Sequence, residues 1–246
     1  MKIGERVHLI GSGSLGTGMT HPADCNVYAV NCGGEQVLVD SGVGQETLQL
    51  LTNLTSDGIA VESIRMLFLT HAHLDHSGGA GFLREALGLE VCASVASARA
   101  LESGDETAIS LDVAKQAGLY PLNFQFQACP VDRVLSDEEC FRVADCEITA
   151  LSTPGHSHDM LSYLFRTPQG LLLFSGDTVF FGGRILLSTV ADCSIQEYAR
   201  SLRKLVKYPV DGLFPGHGLW VVKEGVSHLQ AAVKPLGRLL LPPNLL

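Results

Sequence analysis

Basic residues are scarce in this chain of 246 residues, where 17 Lys and Arg stand against 26 Asp and Glu for a formal charge of −9. Binding to a phosphate backbone draws most of its affinity from clustered Lys and Arg. No such cluster interrupts the sequence, so nucleic acid is not an expected partner. No apolar run approaches the roughly 18 residues that a membrane-spanning helix needs, and Met1-Lys2-Ile3-Gly4-Glu5-Arg6 has no apolar region of the secretory kind. The expectation is a soluble, cytoplasmic protein with no membrane partner, with association into a homo-oligomer left open. Seven cysteines (Cys25, Cys32, Cys92, Cys129, Cys140, Cys146 and Cys193) are odd in number and form no Cys-x-x-Cys pair. That excludes a disulfide framework and a zinc ribbon, and leaves reduced, mostly buried thiols. Apolar residues make up 46% of the chain, enough for a sizeable core. One domain over 1–246 is expected.

What the chain does have is Thr70-His71-Ala72-His73-Leu74-Asp75-His76-Ser77-Gly78-Gly79, after the apolar run Arg65 to Leu69. The run reads as a buried strand feeding a loop, so three histidines and an aspartate collect where a sheet edge meets solvent. Alternate side chains of an extended backbone point the same way, so His71 and His73 can share one ion. Asp75 and His76 lie a turn further on and can face a second. Imidazole and carboxylate suit zinc, and also iron or manganese.

In chain order, Arg6 to Ile10 reads as a strand and Gly11-Ser12-Gly13-Ser14-Leu15-Gly16 as a loop. The loop matches the dinucleotide pattern G-x-G-x-x-G, but Thr17-Gly18-Met19-Thr20-His21-Pro22 follow it where a phosphate loop must open into a helix. A mobile glycine loop is the reading that remains. Asn26 to Asn31 and Gln36 to Asp40 form a hairpin-like pair. A helix is expected over Gln45 to Leu54 with Leu48, Leu51 and Leu54 inward. Ala80 to Leu87 reads as a helix and Glu90 to Ala93 as a strand, so strands alternate with helices and sheets covered by helices are implied. Ser94 to Glu102 and Thr107 to Ala117 read as helices, and Gly118 to Phe126 as a loop carrying Leu119, Tyr120, Phe124 and Phe126. Strands return at Glu147 to Ser152, Ser162 to Arg166, Leu171 to Phe174 and Gly212 to Phe214. A helix from Ser194 has a capping box with Glu197 and a stripe of Ile195, Tyr198, Leu202, Leu205 and Val206.

Three more strand-end elements follow in the second half: Thr153-Pro154-Gly155-His156, Ser175-Gly176-Asp177-Thr178 and Pro215-Gly216-His217-Gly218. Each sets a metal-capable side chain beside a glycine, as a backbone turning tightly around an ion requires. With Asp40 and the His71 to His76 motif, these elements resemble the metallo-β-lactamase superfamily in composition and order, from the first strand to Gly218. The likeness is to its glyoxalase II-like and lactonase-like branches. It implies an α/β fold, a four-layer αβ/βα sandwich of two mixed β-sheets flanked by helices; the aromatic loop residues add the expectation of a cap or insert around 95–130. It also implies two divalent metal ions, zinc first, with iron or manganese open. By motif position, His71, His73 and His156 would bind one ion, Asp75, His76 and His217 the other, and Asp177 would bridge them. Asp40 would orient a ligand histidine rather than act as a ligand.

Two cations about 3.5 to 4 Å apart lower the pKa of a shared water and polarise a carbonyl for its attack. The expected activity is hydrolysis of a small-molecule ester, lactone or thioester by a metal-bridging hydroxide, with Asp75 and Asp177 in the catalytic centre. Departures from the family narrow this. Only some thirty residues follow His217, against the basic helical domain of glutathione thioesterases, and true β-lactamases usually lack the aspartate that Asp177 supplies. RNA-processing members are set aside by charge. Ser157-His158-Asp159-Met160 departs from the usual run after the histidine. His158 there reads as a proton shuttle, a substrate contact or a plain surface histidine. His21, Tyr120, Phe124 and Phe126 are candidate substrate contacts, in loops whose alternative role is to pack onto the domain. The alternative activity is an iron-dependent sulfur dioxygenase using His71, His156 and Asp177 around one ion, with a β-lactam hydrolase behind it. Retention of Asp75, His76 and His217 favours the two-metal hydrolase.

Overall fold

Short apolar runs become strands throughout the chain, in a computed structural model that describes residues 1–118, 120–188 and 192–246. The chain divides into two units, Met1–Leu135 and Ser136–Leu246, each with its own sheet.

In the first unit, β1 (Val7–Gly11), β2 (Val27–Asn31), β3 (Gln36–Val39), β4 (Ile64–Phe68), β5 (Glu90–Ser94) and β6 (Arg133–Leu135) lie side by side in sequence order. The first two pairings are antiparallel and the last three parallel. Parallel neighbours need a crossover. Here α1 (Thr47–Ser56) supplies the first, α2 (Leu74–Ser77) with α3 (Ala80–Leu87) the second, and α4 (Val95–Ser103) with α5 (Leu111–Gln116) the third. Leu38, Leu67 and Val91 of the central strands pack with Leu50, Leu54, Leu83 and Leu101 of the helices.

Two helices differ from expectation. The buried face of α1 is Thr47, Leu50 and Leu54, while Leu48 is 69% exposed. A leucine-rich helix carries more than one apolar stripe, and the sheet beneath it selects which is buried. The helix expected from Thr107 starts only at Leu111. Asp105 Oδ1 accepts from Thr107 N at 3.0 Å and Ala108 N at 3.2 Å, a local turn that competes with the helix, and Ser110 has φ +59°. The 95–130 segment contributes Leu101, Ile109, Leu111, Tyr120 and Cys129 to this unit's core, with Phe124 and Phe126 partly buried against it. Leu119 lies outside the described residues.

In the second unit, β7 (Cys140–Val143), β8 (Cys146–Ser152), β9 (Leu161–Thr167), β10 (Gly170–Gly176) and β11 (Gly212–Pro215) form a sheet in the order β11-β10-β9-β8-β7. Only the β10–β11 pairing is parallel, and α6 (Ile195–Leu205) lies in that crossover. Ser194 caps α6, its side chain accepting from Glu197 N at 3.4 Å. Tyr198, Leu202 and Leu205 pack with Leu151, Leu173 and Leu213, whereas Ile195, of the expected stripe, is 44% exposed. A further helix that the sequence reading did not include, α7 (Gly225–Leu236), adds Leu229 and Ala232 to this core. Among the described residues no helix is long and apolar enough to cross a membrane.

Candidate metal centre

Parallel strands deliver their carboxyl ends to one edge of a sheet, and Asp40 follows β3 there as Thr70 and His71 follow β4. Asp40 takes φ +61°, a conformation that aspartate tolerates better than most residues. Its Oδ1 accepts from Thr70 N at 2.8 Å, its Oδ2 from Thr70 Oγ1 at 2.9 Å, and Oδ2 lies 2.8 Å from His76 Nδ1. Thr70 Oγ1 also lies 3.0 Å from His71 Nδ1. The single hydroxyl proton of Thr70 goes to the carboxylate, so the protons of both imidazoles belong on Nδ1. That tautomer offers the Nε2 lone pair of His71 and of His76 to an ion.

The loops that carry these groups are in close backbone contact. Ser41 N and Oγ both donate to His76 O at 2.8 Å, and Gly79 N donates to Gly42 O at 3.0 Å. A Cβ on Gly78 would meet Val43 O at 2.4 Å, and one on Gly79 would meet Ser41 O at 2.3 Å. Side-chain-free residues are therefore required where α2 crosses that loop. His71, His73 and His76 are all buried, with the His71 ring centroid 4.6 Å from that of His73 and 4.1 Å from that of His76. Asp75 Oδ2 lies 3.5 Å from His76 Nε2.

The second unit holds the second group of donors, just beyond the ends of β8, β10 and β11. His156 Nε2 lies 3.6 Å and His217 Nε2 3.4 Å from the same oxygen, Asp177 Oδ2, and all three residues are buried. His156 Nδ1 donates to Leu186 O at 3.0 Å, which again leaves Nε2 for an ion. Tyr198 OH reaches Asp177 O and Leu186 O, each at 2.9 Å. Burial, and then the Asp177 charge, push its phenol well above the usual range, so it stays a neutral donor. Gly155, at φ +154°, lies so close to this ring that a Cβ would meet Tyr198 Cγ at 2.6 Å.

These donors fit divalent ions. Two ligand atoms each about 2.1 Å from one tetrahedral ion stand about 3.4 Å apart. The nitrogen-to-carboxylate separations of 3.4, 3.5 and 3.6 Å match that spacing and are long for hydrogen bonds.

The other expected site residues have different surroundings. His158 has a 64% exposed side chain, with Nδ1 3.4 Å from Asp192 Oδ2. His21 Nδ1 accepts from Ala23 N at 3.2 Å, a local turn contact. Tyr120 is buried, its ring centroid 5.5 Å from that of Phe124, and burial followed by the Asp75 charge raises its phenol pKa. Sequence reasoning missed Thr70, Tyr198 and Cys25. Cys25 is grouped with Asp40 and His76, and burial pushes its thiol up to about 12, which keeps it neutral. A lone cysteine in a loop carries no signal of such a position, whereas the hydroxyl at Thr70 borders the histidine motif directly.

Comparison with known proteins bears on the family and the fold. The family described as "Metallo-beta-lactamase superfamily" matches residues 22–217. An atrochrysone carboxyl ACP thioesterase of Aspergillus fumigatus is 28% identical over 194 residues, covering 78% of this chain and 50% of its own. The acyl-coenzyme A thioesterase MBLAC2 of Homo sapiens is 27% identical over 210 residues, covering 78% of this chain and 72% of its own. The chain thus spans about half the length of the fungal relative. Among solved structures, a B3 metallo-β-lactamase with an active-site glutamic acid superposes with a TM-score of 0.70 at 21% identity, over 95% of this chain and 86% of that one. A metallo-β-lactamase from Cronobacter sakazakii gives 0.69 at 20% identity over 88% and 80%. These likenesses show the fold, two mixed sheets with flanking helices. By its donors, its fold and the matched stretch, the chain belongs to the metallo-β-lactamase superfamily.

Proposed function

We propose that this chain is a two-metal hydrolase of acyl thioesters. As the family resemblance implies, His71, His73 and His156 would hold one divalent ion and Asp75, His76 and His217 the second, with Asp177 serving both. The observation that carries the reading is the single oxygen, Asp177 Oδ2, within 3.6 Å of His156 Nε2 and 3.4 Å of His217 Nε2, as a bridging carboxylate requires. Ions so held, zinc first with iron or manganese open, supply a water of lowered pKa and polarise the substrate carbonyl. The protein's part is to hold the histidines in one tautomer, through Asp40 and Thr70 in one unit and Leu186 O in the other.

Thioesters are favoured over alkyl esters by the leaving group. A thiol of pKa about 8.5 departs readily as its anion near neutral pH, while an alkoxide needs a proton donor. His158, the candidate shuttle, is exposed and paired with Asp192, and thioester cleavage needs no such donor. The names of the fungal and human relatives, both thioesterases, support the same substrate class.

The test is metal analysis of the purified chain together with a panel of acyl-coenzyme A, lactone, ester and β-lactam substrates. Expected are about two metal equivalents and preferred release of free thiol, with metal content and turnover both lost in Asp177→Ala. One iron per chain with oxygen uptake, or a normal rate in Asp177→Ala, would sink the proposal.

A further inference from the structure

We propose that Asn244 is a positioning residue for His156 and Asp177, although it is distant in sequence from both. The inference rests on the metal-centre reading and extends it to the backbone that aims the donors.

The carbonyl of Leu186 accepts from His156 Nδ1 at 3.0 Å and from Tyr198 OH at 2.9 Å, and the same hydroxyl reaches Asp177 O at 2.9 Å. One peptide oxygen therefore sets the imidazole of His156 and, through Tyr198, the backbone of Asp177. A carbonyl orients a ligand only as firmly as its own peptide is held. Residues 184–187 belong to no helix and to no named strand.

What holds them is the segment 243–245. Ile185 N donates to Pro243 O at 3.0 Å and Leu245 N donates to Ile185 O at 2.8 Å, a parallel bridge between Ile185 and Asn244. Leu187 N donates to Asn244 Oδ1 at 3.0 Å, and Arg184 Nη1 donates to Asn244 O at 3.0 Å. Leu186 is thus clamped from the residue before it and the residue after it. Asn244 Oδ1 is itself fixed, because it also accepts from Leu245 N at 3.0 Å. Ile185 is fully buried in the core of its unit, so the clamp has an apolar anchor on one side. The Leu187 side depends on the Asn244 amide oxygen. Without that oxygen the peptide carrying Leu186 O can rotate, and His156 loses the acceptor that keeps its proton on Nδ1.

Asn244 is exposed, so truncating it opens no cavity in the core. The test uses the full chain as wild type, Asn244→Ala, Asn244→Asp and Tyr198→Phe. Zinc affinity is read by competition with a chromophoric chelator at fixed pH, and the ligand field by the visible spectrum of the cobalt(II) form. Loss of a partner that orients a metal ligand typically weakens metal binding by about 10- to 100-fold. Asn244→Ala should weaken one bound equivalent by about tenfold and alter the cobalt spectrum, and Tyr198→Phe should do the same. Asn244→Asp, which keeps an acceptor oxygen, should stay within about twofold of wild type.

Wild-type affinity and spectrum in Asn244→Ala overturn the proposal. An Asn244→Asp chain that behaves like the alanine variant overturns it too, because the acceptor oxygen would then not be the cause. If Asn244→Ala does not fold, Asn244→Leu, which keeps the bulk and removes the acceptor oxygen, decides: an unchanged affinity and spectrum there refute the clamp. A wild-type chain that holds no zinc in competition with the chelator instead refutes the metal-centre reading on which the clamp depends.

Discussion

Asp40 Oδ2 lies 2.8 Å from His76 Nδ1 with both side chains buried, while the same carboxylate accepts from the backbone and hydroxyl of Thr70. This pair sets which nitrogen of His76 carries the proton, and so which nitrogen can meet an ion. Asp40→Asn is the sharpest probe of it, since asparagine also tolerates the positive φ. An amide N–H turned toward Nδ1 moves the imidazole proton to Nε2. Zinc affinity should fall by about 10- to 100-fold with little change in secondary structure. Chelator competition measures this, and wild-type affinity in the variant would show that Asp40 does not set the tautomer.

Gly155 lies under the ring of Tyr198, and a Cβ there would be 2.6 Å from Cγ and 2.8 Å from the backbone of Tyr198. Neither partner can yield, because Tyr198 belongs to α6 and its hydroxyl is held at both Asp177 O and Leu186 O. Gly155→Ala should therefore displace the loop that carries His156. The expected result is a lower melting temperature and a reduced metal content in the same variant, read by thermal unfolding and elemental analysis. Retention of both at wild-type values would mean that the loop has slack that the close contact does not suggest.

Phe124 and Phe126 pack against the core of the first unit while only partly buried. A fully buried Phe→Ala change costs about 3–5 kcal/mol. Half-burial brings that to about 2 kcal/mol, or a melting point lower by about 4–8 °C in a chain of this size. Each alanine variant should show this drop with an unchanged KM. A raised KM at unchanged melting temperature would instead make these rings part of the substrate cover.

His228 Nδ1 accepts from Gly182 N at 2.9 Å, and its ring centroid lies 4.6 Å from that of Phe181. Burial lowers its pKa from the ordinary value. The folded chain therefore resists protonation there, while the unfolded chain takes a proton at about pH 6.5. The contribution is constant above that pH and is lost as the pH falls below it, because the unfolded state then binds more protons. Wild type should lose more melting temperature between pH 7.5 and 5.5 than His228→Gln, which keeps an acceptor but cannot titrate. Parallel losses in the two proteins would refute the shift.

What the sequence determined by itself is local. His71, His73, Asp75 and His76 fall within a few residues of one strand end, and His156, Asp177 and His217 each follow an apolar run beside a glycine. Strand ends and tight turns are dictated by near neighbours, so the candidate donors and their order were legible without a fold. The start of α6 was legible for the same reason, because Ser194 and Glu197 satisfy a helix terminus within one turn. What only the tertiary structure decided depends on residues far apart in the chain. The inward face of α1 is Leu50 and Leu54 rather than Leu48 because a sheet made elsewhere lies under it. Asp40 became the partner of His76 across 36 positions, and Leu186 O the acceptor of His156 across 30. Asn244 reaches the same peptide with its side-chain oxygen, across 57 positions. A backbone carbonyl or amide is present at every residue and leaves no mark in the amino-acid order, so the groups that aim the donors emerge only when the chain has folded.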